Sequence, residues 1–403
     1  MIRNNQINYT INRQNSFEII FSFYIIVSIL SNSFFALYLP NYSALVLISF
    51  FFLFVREIVI NRFRIKTLFQ TGLVLCFIVL IWTSNNLQLT NPLISLVIFS
   101  LCARDLDYDK ILEISFKLIL IMLLIIIFSS QLGIITDYVL NQAGRVRHFL
   151  GFLYALYPGT LIFELMLIAI YLHKSFKIKL FLVMLDFVVF SFTDSRLSFG
   201  LTLISLLLCS GPIVKIVKKV TENNIIRILF SSIYMWFAFL SIYISLIYTE
   251  SIKWLYELNR VLSFRLRLSQ EAIATYGITL TGKQVSFTGE AVNAYGINVN
   301  AGTEYFTVDN GYLDILIKYG VIAEVIYIIL VSYLLYKLLK TGNYRLYLII
   351  CIIGLHLLID FSMLNLIYNV FILVLFYRND SLIKIKGNLS EKVRHKFKIV
   401  LSK

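Results

Sequence analysis

The chain of 403 residues is 59% hydrophobic and only 14% charged, with a mean hydropathy of +0.83, which excludes an ordinary soluble domain and marks an integral membrane protein. A formal net charge of +14 would point to nucleic acid in a soluble chain. Here Lys and Arg gather in short connections between apolar runs, where they report orientation and leave anionic headgroups as a secondary partner; no nucleic-acid partner is expected.

A hydrocarbon core about 30 Å thick takes about 20 helical residues, and that ruler predicts an all-α polytopic protein with about 12 transmembrane helices. Their limits fall near 17–39, 42–60, 67–83, 92–103, 116–135, 152–172, 180–193, 197–214, 228–248, 318–337, 346–361 and 363–377. The runs at 92–103 and 180–193 are short for a crossing and predict tilted or broken spans. The first run is longer than a signal-peptide core and has no A-x-A site after it, so it reads as a retained helix. Alternate connections are basic, among them Arg62, Arg64 and Lys66; Lys174, Lys177 and Lys179; and Lys337, Lys340 and Arg345. By the positive-inside rule both termini are cytoplasmic. Residues 1–403 then form a single membrane domain, 249–310 one long extracytoplasmic loop, and 378–403 a basic cytoplasmic tail. Cys76, Cys102, Cys209 and Cys351 fall inside or at the ends of apolar runs, and no disulfide framework or CxxC metal site is written.

Outward connections seldom carry cations, so those present need explaining: Arg145, Arg147, Arg196, Arg260, Arg265, Arg267 and Lys283. A guanidinium fork matches phosphate oxygens, and arginines converging from separate loops would suit a pyrophosphate at the membrane surface. Local pairing is the simpler account of Arg260, with Glu257 at i,i+3; Arg267, with Glu271 at i,i+4, reads as a surface pair or as a phosphate ligand. Arg265 has no such partner three or four residues away. Arg196 sits in SFTDSRLSFG beside Asp194, which reads as a tight turn or as a ligand site. Asp309 and Asn310 precede a helical run, so either could cap it. A carboxylate beside phosphate-binding arginines is also what a glycosyl transfer needs, to take a proton from an acceptor hydroxyl.

Ionisable residues inside spans default to functional candidates. Glu164, Asp186 and Glu324 lie too deep for chemistry at the outer face, and Glu164 and Asp186 are expected to hydrogen-bond between helices. Asp360, near the outer end of its span, is well placed for that face. There is no Walker A sequence, no GxGxxG after a strand, no HExxH and no outward DxD, which fits a lipid-linked donor rather than a nucleotide.

At GRVRHFLGF, TDSRLSFG, SFRLRLSQEAIATYGITLTG and DNGYLDILIKYG the chain resembles the bacterial polysaccharide repeat-unit polymerases of the O-antigen polymerase (Wzy) and ligase superfamily. The resemblance implies a GT-C-like, all-helical fold in the bacterial cytoplasmic membrane. It also implies a donor glycan on undecaprenyl pyrophosphate, metal-independent chemistry with no cofactor, and a flippase and chain-length regulator as possible partners. By motif position it carries the pyrophosphate-holding role to Arg147, Arg196 and Arg265, with Arg196 and Arg265 taken as catalytic; Arg147, Arg267, Asn310 and Asp360 make up the candidate substrate-binding residues. Where relatives read His-Asn, this chain has Asp309 and Asn310, which makes Asp309 the candidate base. A flippase of the same lipid-linked unit and an O-antigen-type ligase remain as alternative readings.

Overall fold

The computed structural model describes residues 2–39, 41–61, 72, 79, 91–142, 145–289, 291–298, 306–377 and 382. The expected span 67–83, the basic connection Arg62 to Lys66 and nearly all of the tail 378–403 lie outside these residues.

The described chain is mostly helical. The helices are α1 (Ile2–Ser31), α2 (Tyr42–Asn61), α3 (Pro92–Ala103), α4 (Tyr108–Gln131), α5 (Tyr157–Tyr171), α6 (Phe176–Thr193), α7 (Arg196–Leu208), α8 (Gly211–Val220), α9 (Asn224–Ser231), α10 (Ile233–Ile247), α11 (Lys253–Val261), α12 (Arg265–Tyr276), α13 (Gly311–Thr341) and α14 (Tyr344–Leu357). A two-stranded antiparallel hairpin, β1 (Val139–Gln142) and β2 (Arg145–His148), joins α4 to α5. Short 3-10 turns occupy Phe34–Tyr38, Phe361–Leu364 and Val370–Val374. One apolar core runs from Phe17 on α1 to Leu382, with α5 buried on nearly every side.

Among the described residues, four helices are long and apolar enough to cross a membrane: α1, α2, α4 and α13. The number rises to six if α7 with α8, bent by 69°, and α9 with α10, bent by 47°, each make one span. The protein is therefore membrane-embedded and all-α, but among the described residues four to six candidate spans stand in place of the expected count of about twelve. The apolar ruler registers hydrophobic length, and α3, α5 and α14 meet its composition with only 12, 15 and 14 residues.

The clearest correction is the expected last span, 363–377. It is not an α-helix but two 3-10 turns, yet it is almost wholly buried. Asn365 and Asn369 offer the backbone local alternatives to a helix: Asn365 Oδ1 accepts from Ile367 N at 3.2 Å, and Asn369 Nδ2 donates to Met363 O at 3.0 Å. Irregular backbone survives at membrane depth only where protein groups satisfy it. Neighbouring side chains do so here. Glu164 on α5 accepts from Val370 N at 2.9 Å, Tyr108 donates to Phe371 O at 3.2 Å, Ser100 to Ile372 O at 3.2 Å, and Lys337 to Tyr377 O. Glu164 was expected to bond between helices; it holds this turn instead.

A second break lies inside α13. Gly320 has φ +87°, and the segment Thr279 to Lys283 lies against the interruption. Val321 N donates to Thr279 O (3.0 Å), Ile322 N to Leu280 O (3.2 Å) and Lys283 N to Ile317 O (3.2 Å), so the loop supplies the bonds that the helix loses. The approach is backbone on backbone. A Cβ at Gly320 would stand 2.3 Å from Leu280 O, and one at Gly282, also left-handed, 2.2 Å from Lys318 O.

Candidate functional site

The α11–α12 corner places Arg265. Ser263 and Phe264 are left-handed, which turns the chain sharply after α11. Asn259 Oδ1 then accepts from Leu266 N (3.0 Å) and Arg267 N (3.2 Å), while its Nδ2 donates to Tyr248 OH (2.8 Å). This side chain, reaching from the preceding helix, does the capping that Phe264 cannot.

Arg265 therefore begins α12, where a cation opposes the helix dipole. Its compensation comes from far along the chain: Arg265 Nε lies 2.8 Å from Asp309 Oδ2, both side chains largely buried. Asp309 directly precedes the cap of α13. Asn310 is that cap, accepting from Tyr312 N (3.0 Å) and Leu313 N (3.1 Å) and donating to Leu358 O (2.8 Å). Of the two adjacent residues, Asn310 takes the structural role and leaves Asp309 to the arginine.

Asp309 and Asp360 line one cavity of about 640 Å³ between the first turns of α13, the turn at Phe361–Leu364, α3 and the start of α5. Asp314 and Lys318, one turn apart on α13 and 2.5 Å from each other, share its wall. Tyr42, Tyr154, Tyr157, Tyr319 and Tyr368 supply hydroxyls and aromatic faces. Tyr157 and Tyr368 are stacked at 5.6 Å between centroids. Asp360 caps the following turn, its Oδ1 accepting from Ser362 N at 2.8 Å. Carboxylates, asparagines and flat rings in one cleft are the groups that bind polyhydroxylated rings, with carboxylates accepting from hydroxyls and aromatic faces covering apolar ring surfaces.

The other arginines assemble elsewhere. Strand β2 packs on α6, and residues 145 and 147 share one face of it. Asp194, left-handed at the end of α6, binds Arg196 at 2.8 Å and Arg145 at 3.7 Å. Arg147 is half-buried on the strand beside them. Two guanidiniums share the Asp194 carboxylate, which leaves this cluster with a net positive charge. Arg267 is exposed and pairs with Glu271 at 3.4 Å, and Arg260 with Glu257 at 3.2 Å, as their helical spacing implied. Neither contributes to the cavity. His148 is bound to Asp137, Nδ1 to Oδ2 at 2.7 Å.

Compared with known proteins, the chain matches no family model, no curated protein and no solved structure.

The candidates thus separate into two groups: Arg265, Asp309, Asn310 and Asp360 around the cavity, and Arg147 with Arg196 at the hairpin. Sequence reasoning passed over Asp314 and Lys318, although their i,i+4 spacing was visible within DNGYLDILIKYG. It also passed over His356, fully buried on α14, stacked on Phe163 at 5.1 Å and 3.5 Å from Ser198 Oγ. No pattern could announce His356, because the neighbours named come from two other stretches of chain.

Proposed function

We propose that the protein is a polysaccharide polymerase. It would transfer a glycan from undecaprenyl pyrophosphate to a sugar hydroxyl of another lipid-linked repeat unit, at the outer face of the bacterial cytoplasmic membrane with both termini inside. In this reading the short helices and bent pairs complete a GT-C-like bundle, and residues 249–310 form its extracytoplasmic loop. The observation that carries it is the Arg265–Asp309 pair at the edge of a cavity suited to sugar rings. Arg265 can bind either Asp309 or a donor phosphate. When pyrophosphate takes the guanidinium, Asp309 is released beside the cavity as a base. The acceptor oxygen then bonds to the anomeric carbon, the bond from that carbon to the pyrophosphate oxygen breaks, and the hydroxyl proton passes to Asp309. Arg265 would stabilise the charge on the departing pyrophosphate without a metal, while the separate hairpin cluster of Arg147 and Arg196 would serve the anionic lipid carrier at the membrane surface.

Deleting the gene and resolving lipid-linked and surface glycans as a ladder tests the reading. A single repeat unit on the outer face supports it, and an unchanged ladder rejects it. A ligase would leave long polymer on the lipid carrier. A flippase has one observation in its favour, since both carboxylate oxygens of Glu324 are buried within α13 without a hydrogen-bond partner among the described residues. Repeat units trapped on the inner leaflet would select it.

A further inference from the structure

The cavity that Asp309 borders carries a charge imbalance. Three carboxylates line it, Asp309, Asp314 and Asp360, against one ammonium, Lys318. Two of the carboxylates are matched, Asp309 by Arg265 and Asp314 by Lys318. Asp360 is not. Its residue is only 7% exposed, its Oδ1 accepts the Ser362 backbone N–H, and no Lys, Arg or His among the described residues forms an ion pair with it. The adjacent His356 lies within electrostatic reach of Asp360 but is fully buried and forms no ion pair with it, its Nε2 being 3.5 Å from Ser198 Oγ.

A carboxylate taken out of water without a counter-charge is costly, and a cavity wall is where a ligand can supply that charge. The surroundings suit a cation on a sugar rather than a bare metal ion. Asp360 lies within electrostatic reach of Tyr157 and Tyr368, whose stacked rings line the same cavity. Aromatic faces attract a ligand cation and cover the apolar side of a pyranose. A group with hard oxygen-ligand requirements would need several carboxylates converging, and no such cluster exists among the described residues.

We propose that Asp360 binds the protonated amine of an amino sugar seated in this cavity, and that the net negative wall turns uronic acids away. The proposal rests on the reading of the protein as one that acts on glycans, and it names the class of glycan. Recognition is by charge: the ammonium meets Asp360, an N-acetyl group at the same carbon would leave the carboxylate unmatched, and a sugar carboxylate would face it with like charge.

The test uses the purified full chain in nanodiscs, titrated calorimetrically with three trisaccharides: glucosamine, N-acetylglucosamine and galacturonic acid. The expected result is binding of the glucosamine trisaccharide at least about tenfold tighter than its N-acetylated form, with none of the galacturonate. Asp360→Asn keeps an acceptor for Ser362 N–H, so the turn survives, and it should abolish the preference for the free amine. Equal binding of the three, tightest binding of the galacturonate, no binding of any, or an undiminished amine preference in Asp360→Asn would each overturn the proposal. The wild-type comparison stands without the variant. The gene-deletion ladder reads the polymerase assignment separately, so a lost ladder with indiscriminate binding rejects the amino sugar alone.

Discussion

Arg265 Nε and Asp309 Oδ2 stand 2.8 Å apart, tying the first residue of α12 to the residue before the cap of α13. With both side chains largely removed from solvent, deleting one partner removes an opposite charge 2.8 Å from the other. Arg265→Ala and Asp309→Ala should each cost about 3–5 kcal/mol, and the double variant clearly less than the sum. Thermal unfolding of the purified variants checks this; additive losses would mean that the pair is not coupled.

Asp309→Asn preserves shape and an acceptor for Arg265 but removes the charge, so part of the stability loss remains. On the proposed mechanism, polymer per unit of membrane-inserted protein should be lost from the glycan ladder. Normal polymer would strip Asp309 of its role as base.

The hairpin arginines make the opposite kind of test. Arg196 is exposed, and its ion pair with Asp194 is worth about 0–1 kcal/mol. Arg196→Ala should therefore leave the unfolding temperature unchanged yet shorten or abolish polymer. Full-length polymer in this variant would reduce Arg196 to a surface pair.

Gly320 and Gly282 face each other across the break in α13, each in a left-handed conformation with another backbone where a Cβ would go. Gly320→Ala should destabilise by more than about 1 kcal/mol, through backbone strain plus the collision, and should free the segment near Thr279 to Lys283 from the helix. Limited proteolysis reads this directly as new cleavage in that segment. An unchanged digest would show that the loop does not depend on the break.

Glu164 accepts the Val370 N–H deep in the core. Glu164→Gln keeps an acceptor and should be tolerated. Glu164→Leu orphans a buried backbone donor and should cost about 1–3 kcal/mol, seen as a lower unfolding temperature. Equal behaviour of the two would mean that the buried turn finds another partner.

Hydrophobic length determined by itself that this is a membrane-embedded, mostly helical chain, because burying backbone in lipid leaves few alternatives. Helical spacing was also enough for Arg260 with Glu257 and Arg267 with Glu271, whose partners lie within one turn. What decided the rest was contact between distant stretches. That residues 363–377 are buried but not helical depends on Glu164, Tyr108, Ser100 and Lys337 answering their backbone groups from other elements. Arg265 is paired with Asp309, and no local rule connects the two. Likewise the sequence placed Asp360 at the outer face as a binding candidate without showing how its charge is met. Only the folded arrangement, in which Arg265 and Lys318 neutralise the other two carboxylates of the cavity, leaves it as the unmatched charge. Ion pairs and backbone satisfaction are set by distance in space, which sequence separation does not encode.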